Sequence, residues 1–357
     1  MKKILFVCMV VLLGFQGTSM LFGQVSQSAV LFLLISPGAR ASGMGESFVA
    51  VADDATAIFW NPAGLAFQTG KELVVMHCKW LPGLVDDMYY EFASYQQHVE
   101  SLGGTIGANV TYLNMGEQTW MDESNKEMGT FFSYDFAFSV SYATKISNHL
   151  GLGVSARYIK SLLAPAWVTV GEEKGNGTGN AFAMDLGVLY KFPFINGLSF
   201  GANISNMGPK IAYVDAAQAD PIPTNLKIGF AYKCLDMEYN KLTLSVDTNK
   251  LLVVTHMNED SSKTSDPFYK AIFTAWSDGT FKEQVRRLIS SCGAEYVYNN
   301  MIFLRAGYYY DEIGKVKFPS FGAGLQYAKY RFDFAYVAAK SGHPLSDTMR
   351  FSMSIGF

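Results

Sequence analysis

The chain has 357 residues, of which 49% are hydrophobic, 15% aromatic and only 17% charged, with 33 glycines and a formal net charge of −3. Soluble domains carry about 25% charged residues, so few charges with many Tyr, Phe and Gly suit strands that meet lipid on one side. The near-neutral charge offers no electrostatic attraction for nucleic acid, and the apolar content excludes disorder. Met1, Lys2 and Lys3 make a short basic start, followed by an apolar run of 12 residues from Ile4 to Phe15, broken only by Gly14, and then by small and polar residues. This layout predicts a cleaved export signal over residues 1–23. The run falls short of the ~20 apolar residues that span a bilayer.

Residues 24–71 do not read as wall. Glycines, two prolines and the pair Asp53–Asp54 interrupt residues 36–67, and Trp60-Asn61-Pro62 reads as a further turn. Two adjacent aspartates cannot face hydrocarbon without a large desolvation cost. Asp53, Asp54, Trp60, Asn61 and Pro62 are therefore expected inside a barrel or at its periplasmic mouth, as parts of a hatch-like segment filling a lumen too wide for side chains alone.

From residue 72 onward, period-two alternation recurs. Tyr134, Phe136, Phe138, Val140 and Tyr142 interleave with Asp135, Ala137, Ser139 and Ser141; Phe182, Met184, Leu186 and Val188 interleave with Ala183, Asp185 and Gly187. Fourteen strands are predicted, beginning near residues 72, 88, 104, 133, 150, 180, 198, 225, 240, 291, 301, 318, 330 and 347. Connections after even-numbered strands are short and those after odd-numbered strands are mostly longer. That asymmetry matches the periplasmic turns and outward loops of outer-membrane barrels. The expected fold is all-β: a 14-stranded antiparallel transmembrane barrel over residues 72–357, localised to the outer membrane and bathed in its lipid. Phe357 ends an alternating aromatic strand suited to close the seam.

The polar strand face carries Asp135, Asp185, Asp247, Glu295 and Asp333 against Arg157, Lys191, Lys227, Lys233, Arg305, Arg331 and Arg350. Facing lipid, each Arg or Lys would cost about 2–4 kcal/mol at the midplane, so these groups belong in the lumen. Near balance favours internal pairing over a charged path for a substrate. Within the loop 254–290, Phe281, Val285, Leu288 and Ile289 share one face of a helix of about three turns. It could serve as a lid on the rim or as a docking element. No metal-ligand spacing, phosphate loop or nucleophile with a placed base is found, and the three cysteines beyond residue 23 show no zinc or disulfide spacing. No cofactor, metal or catalytic role is expected.

The pattern SP-x-ARA-x-GMG at residues 36–45 and WNPAGLA at residues 60–66 resemble the N-terminal signature of the PorV/PorQ family, relatives of the FadL fatty-acid transporters. Residues 215–232, 293–312 and 343–357 are also similar to that family, so the resemblance covers essentially the whole mature chain. It implies a FadL-like outer-membrane barrel with a type IX secretion role, whose partners are secretion-system proteins and secreted cargo. A FadL-like channel for hydrophobic small molecules is the alternative. The motifs carry no residue-level binding site.

Overall fold

The computed structural model describes residues 28–122, 124–168, 177–213, 218–257, 263–340 and 343–357. The expected export signal at residues 1–23 lies outside the described residues. Fourteen antiparallel strands close into one barrel. They are β1 (Lys71–Lys79), β2 (Tyr89–Val99), β3 (Gly104–Met121), β4 (Glu127–Lys145), β5 (Leu150–Leu162), β6 (Thr178–Lys191) and β7 (Leu198–Met207), followed by β8 (Asn225–Asp236), β9 (Asn240–Leu251), β10 (Ile289–Tyr298), β11 (Ile302–Asp311), β12 (Val316–Tyr327), β13 (Tyr330–Val337) and β14 (Thr348–Gly356). Closure is forced by the solvent: an open edge in hydrocarbon would leave a row of backbone groups unpaired. The seam joins β1 to β14, with Glu72 opposite Gly356 and Cys78 opposite Arg350.

Alternation sets the two faces. On β6, Phe182, Met184 and Leu186 are exposed while Ala183, Asp185 and Gly187 are buried. On β9, Leu244 and Val246 face out and Ser245 and Asp247 face in. The aromatic and aliphatic set is the lipid-facing band. One boundary differs from the sequence expectation. β4 begins at Glu127 rather than near 133, because β3 and β4 continue as a paired ribbon beyond the band, with register shifts at Asn114/Glu117 and Trp120/Met121. The polar tips conceal this extension from a reading based on alternating apolar residues.

The long connection after β9 also differs. The apolar spacing predicts one helix of three turns. The structure has two shorter ones, Phe268–Thr274 and Phe281–Arg286, after a two-stranded ribbon of Thr255–Met257 and Lys263–Ser265. The second helix is fixed by a capping box in which Thr280 Oγ1 accepts from the Glu283 amide and the Glu283 carboxylate accepts from the Thr280 amide. It stops at Arg286 because Ile289 already belongs to β10, so the last of the four spaced apolar residues is strand.

The lumen is occupied by the chain itself. Residues 28–70 run through it as short helical turns, among them Leu31–Leu34, Ala39–Gly43, Ala57–Trp60 and Pro62–Phe67. Phe48, Val49, Ile58 and Leu65 are completely buried. This backbone lies directly on the wall where inward positions are glycine. A Cβ at Gly153 would overlap Pro62 and Ala63, and one at Gly307 would overlap Met44 and Gly45. Glycine here gives close approach of two backbones rather than a special turn.

Candidate functional site

The lumen divides into two halves along its axis. Toward the outer loops it carries a large apolar cluster, beside two ion pairs of its own, Arg157–Asp185 and Arg350–Glu46. Val30, Phe32 and Leu33 of the luminal segment pack with Met76, Tyr90, Phe92, Leu113 and Ile159 of the wall and with Ile211 and Ile222 of the connection between β7 and β8. Toward the periplasmic turns it is ionic.

Arg40 is the hub of the ionic half, and it is the only basic residue between positions 28 and 70. Its guanidinium donates from Nε and Nη2 to the two oxygens of Glu295, at 2.8 and 2.7 Å. Its Nη1 donates to Asp53 at 2.7 Å and to Asp54 at 3.0 Å. Glu295 on β10 also accepts from Arg305 Nε at 2.7 Å, and Arg305 Nη1 donates to Asp333 at 2.6 Å. Asp333 in turn accepts from Arg331 Nε at 2.9 Å, and Arg331 lies 3.5 Å from Asp54. Three guanidiniums and their carboxylates thus link the segment to β10, β11 and β13. Planar forks matched to carboxylates make such bidentate contacts strong and specific in direction.

The two aspartates differ sharply. The Asp54 side chain is 3% exposed and that of Asp53 is 60% exposed. Asp54 also accepts from the amide and hydroxyl of Thr56, at 3.0 and 2.5 Å. Burial alone would push its carboxyl up; the Arg40 and Arg331 guanidiniums outweigh that and hold it below the usual carboxylate range.

Around Trp60 the contacts are of another kind. The ring is buried against Phe48 in an edge-on contact at 5.9 Å, its Nε1 donates to the Pro37 carbonyl, and the Lys227 ammonium sits 4.2 Å from its centroid. A desolvated contact of this type contributes about 2 kcal/mol. Asn61 Oδ1 accepts from the Ala63 amide, and its Nδ2 donates to the Val49 carbonyl and to Val188 of β6. Pro62 opens the helical turn that follows, where its missing N–H costs nothing. Asp247 on β9 accepts from the amides of Phe48 and Val49, at 2.7 and 2.9 Å.

Elsewhere on the wall, Arg157 pairs with Asp185 at 2.7 Å and donates to Asn206, and the Asn206 amide donates to Asp185. This cluster braces the start of the connection after β7. Asp135 is buried apart from the others and makes no ion pair among the described residues, with Oδ1 unpartnered. The structure therefore brings Asp53, Asp54, Glu295, Arg305 and Asp333 into one network. Arg157 and Asp185 form a second, Lys227 and Asp247 reach the luminal segment singly, and Asp135 joins none.

Arg40, Glu46 and Glu72 are functional residues that the sequence pattern alone does not point out. A lone arginine in a stretch of small and apolar residues was the available signal, because such a charge must find carboxylates if it is buried. Glu46 accepts from Ser36 Oγ at 2.8 Å and lies 3.5 Å from Arg350 of β14; Glu72 accepts from the Ala55 amide at 2.8 Å.

A family model described as type IX secretion system protein PorV matches residues 23–258. Among solved structures, the chain is similar to the CymD monoaromatic hydrocarbon channel at 15% identity and TM-score 0.56, covering 91% of this chain and 98% of that one. It is also similar to the P. putida toluene transporter TodX, at 12% identity and TM-score 0.53 over 90% and 98% of the two chains. A Pseudomonas aeruginosa FadL homologue gives 12% identity and TM-score 0.51 over 89% and 97%. At these identities the shared property is the FadL-like fold. No curated protein matches in sequence. With the family model covering well over half of the chain, and a closed 14-stranded barrel of FadL-like fold around it, this protein belongs to the PorV family of type IX secretion proteins.

Proposed function

We propose that this outer-membrane barrel serves type IX secretion as a non-catalytic scaffold. Residues 1–23 direct its export, residues 24–71 act as a plug, and the outer loops hold secreted cargo or partner proteins. The observation that carries the scaffold role is the filled lumen. Its outer half is closed by the chain's own apolar side chains, and its periplasmic half is crossed by Arg40, Arg305 and Arg331 with their carboxylates. A conduit for hydrophobic molecules needs a continuous apolar path, and buried ion pairs across the lumen oppose one. The charged lumen residues act on this reading as internal braces rather than as a substrate path.

The deciding experiment is affinity capture of the protein from outer membranes, followed by mass spectrometry. Co-purification of secretion components and secreted proteins is the expected result. Recovery of bound hydrophobic small molecules with no protein partner would favour the channel reading that the hydrocarbon-channel fold keeps as the alternative.

A further inference from the structure

The helical part of the connection between β9 and β10 packs against outward-facing residues of the wall. On β8 and β9 the outward-facing residues include Leu226, Ile228 and Phe230 and, opposite them, Val246 and Lys250. Ile228, Phe230 and Val246 are exposed members of the lipid-facing band. Lys250, one step closer to the loop, is buried although it points the same way. What buries it is the helical connection: Trp276 covers its ammonium at 4.9 Å from the ring centroid, and Gln284 Oε1 accepts from its Nζ. Leu226 packs beneath the same cover, with Ile272, Ala275, Leu252 and Val254.

Between this cover and the wall runs a groove of about 290 Å³, lined chiefly by Leu226, Ile228, Phe230, Val246, Trp276 and Leu288. Ile228, Phe230 and Val246 of that lining belong to the exposed band, so the groove is continuous with the surface that hydrocarbon wets. The exposed face of the connection carries three aromatic rings among polar residues. Tyr269 is 64% exposed, Phe273 76% and Phe281 85%. Lys282 stands next to Phe281 in the chain and is exposed with it. Rings with an apolar body, together with cations that reach phosphate, favour the boundary between hydrocarbon and headgroups.

We propose that residues 267–288 form an interfacial anchor on the outer leaflet, and that the groove beneath Trp276 holds the acyl chain of an outer-leaflet lipid. The location at the top of the band, the continuity of the groove with it and the cation beside the exposed rings all point to lipid as the occupant. The anchor fixes one side of the barrel against the leaflet and orients the outer connection that follows β9.

Five tryptophans allow the test on the full chain. The protein is reconstituted into vesicles of phosphatidylethanolamine and phosphatidylglycerol, with bromines placed at shallow or deep acyl positions. The expected result is strong quenching by shallow bromines and weaker quenching by deep ones, with most of the shallow quenching lost in Trp276→Phe. Phenylalanine keeps a ring over Lys250, and unchanged mobility of the unheated barrel on gels verifies folding. Equal quenching of the wild-type and Trp276→Phe proteins overturns the proposal. If the protein then runs as a dimer, a second copy covers the patch; if it runs as a monomer, the rings face water.

Discussion

The two halves of the lumen hold the same luminal segment by opposite physics. The outer half relies chiefly on Val30, Phe32 and Leu33 against an apolar wall, with Arg350 adding polar contacts to Ser36, Ser42 and Glu46. The periplasmic half uses Arg40 and its carboxylates, which tolerate little error in position and leave unpaired buried charges when broken. Removing a group from the apolar half leaves a cavity; removing one from the ionic half leaves a charge. The first costs packing energy, while the second forces rearrangement or water entry, so the ionic half is where opening begins.

The largest effect should follow Arg40→Ala, which strips Glu295 and Asp54 of their shared partner. Breaking a buried pair from one side costs about 3–5 kcal/mol, so frequent open steps should appear in planar-bilayer conductance. If the ionic half holds the segment as described, pairing Arg40→Leu with Glu295→Leu recovers much of that loss. Next comes Phe32→Ala, with a cost of about 3 kcal/mol for a fully buried ring. It should lower the melting temperature of the barrel without producing open steps. Open steps as frequent as those of Arg40→Ala would erase the distinction between the halves.

A smaller contrast separates the adjacent aspartates. Asp54→Asn should loosen the segment by about 1–3 kcal/mol, since it removes charge from a hydrogen-bonded buried partner. Asp53→Asn should change stability by less than about 1 kcal/mol, as an exposed pair does. The double Asp53→Ala, Asp54→Ala protein should behave like Asp54→Ala alone. The weakest effect is that of mild acid. Asp54 is held below its unfolded value, so its contribution is complete above that value, near pH 4, and is lost as the pH falls through the lower folded value. Conductance should match at pH 7 and pH 5 and rise only below about pH 4; opening at pH 5 would point to another group.

How much of this was legible varies with the kind of interaction. The wall was readable because lipid and lumen impose opposite demands on alternate residues, so Phe182 and Asp185 declare their faces from spacing alone. The luminal segment was readable only as something that could not be wall. Its partners come from strands hundreds of residues away, as Arg40 with Glu295 shows, and no local pattern encodes such pairing. Arg157 and Asp185 could be placed on the inner face, but not to each other, since neighbouring strands must first be set in register. The helical connection after β9 misled for another reason. Its apolar spacing was real, but Ile289 was claimed by β10, and the exposed Phe281 belongs to the surface rather than a core.

One set of contacts ties the luminal segment to the seam of the barrel. The Ala39 amide donates to Ser352 Oγ at 2.8 Å, and Arg350 donates to the Ser36 carbonyl and to Ser42. Ser352 and Arg350 lie on β14, which completes the seam with β1. Residues 36–42 thus line the inner face of the strand that closes the barrel. The segment and the seam share one strand: what holds the segment in place also buttresses the strand that closes the wall. Loosening the segment therefore removes support from the seam itself.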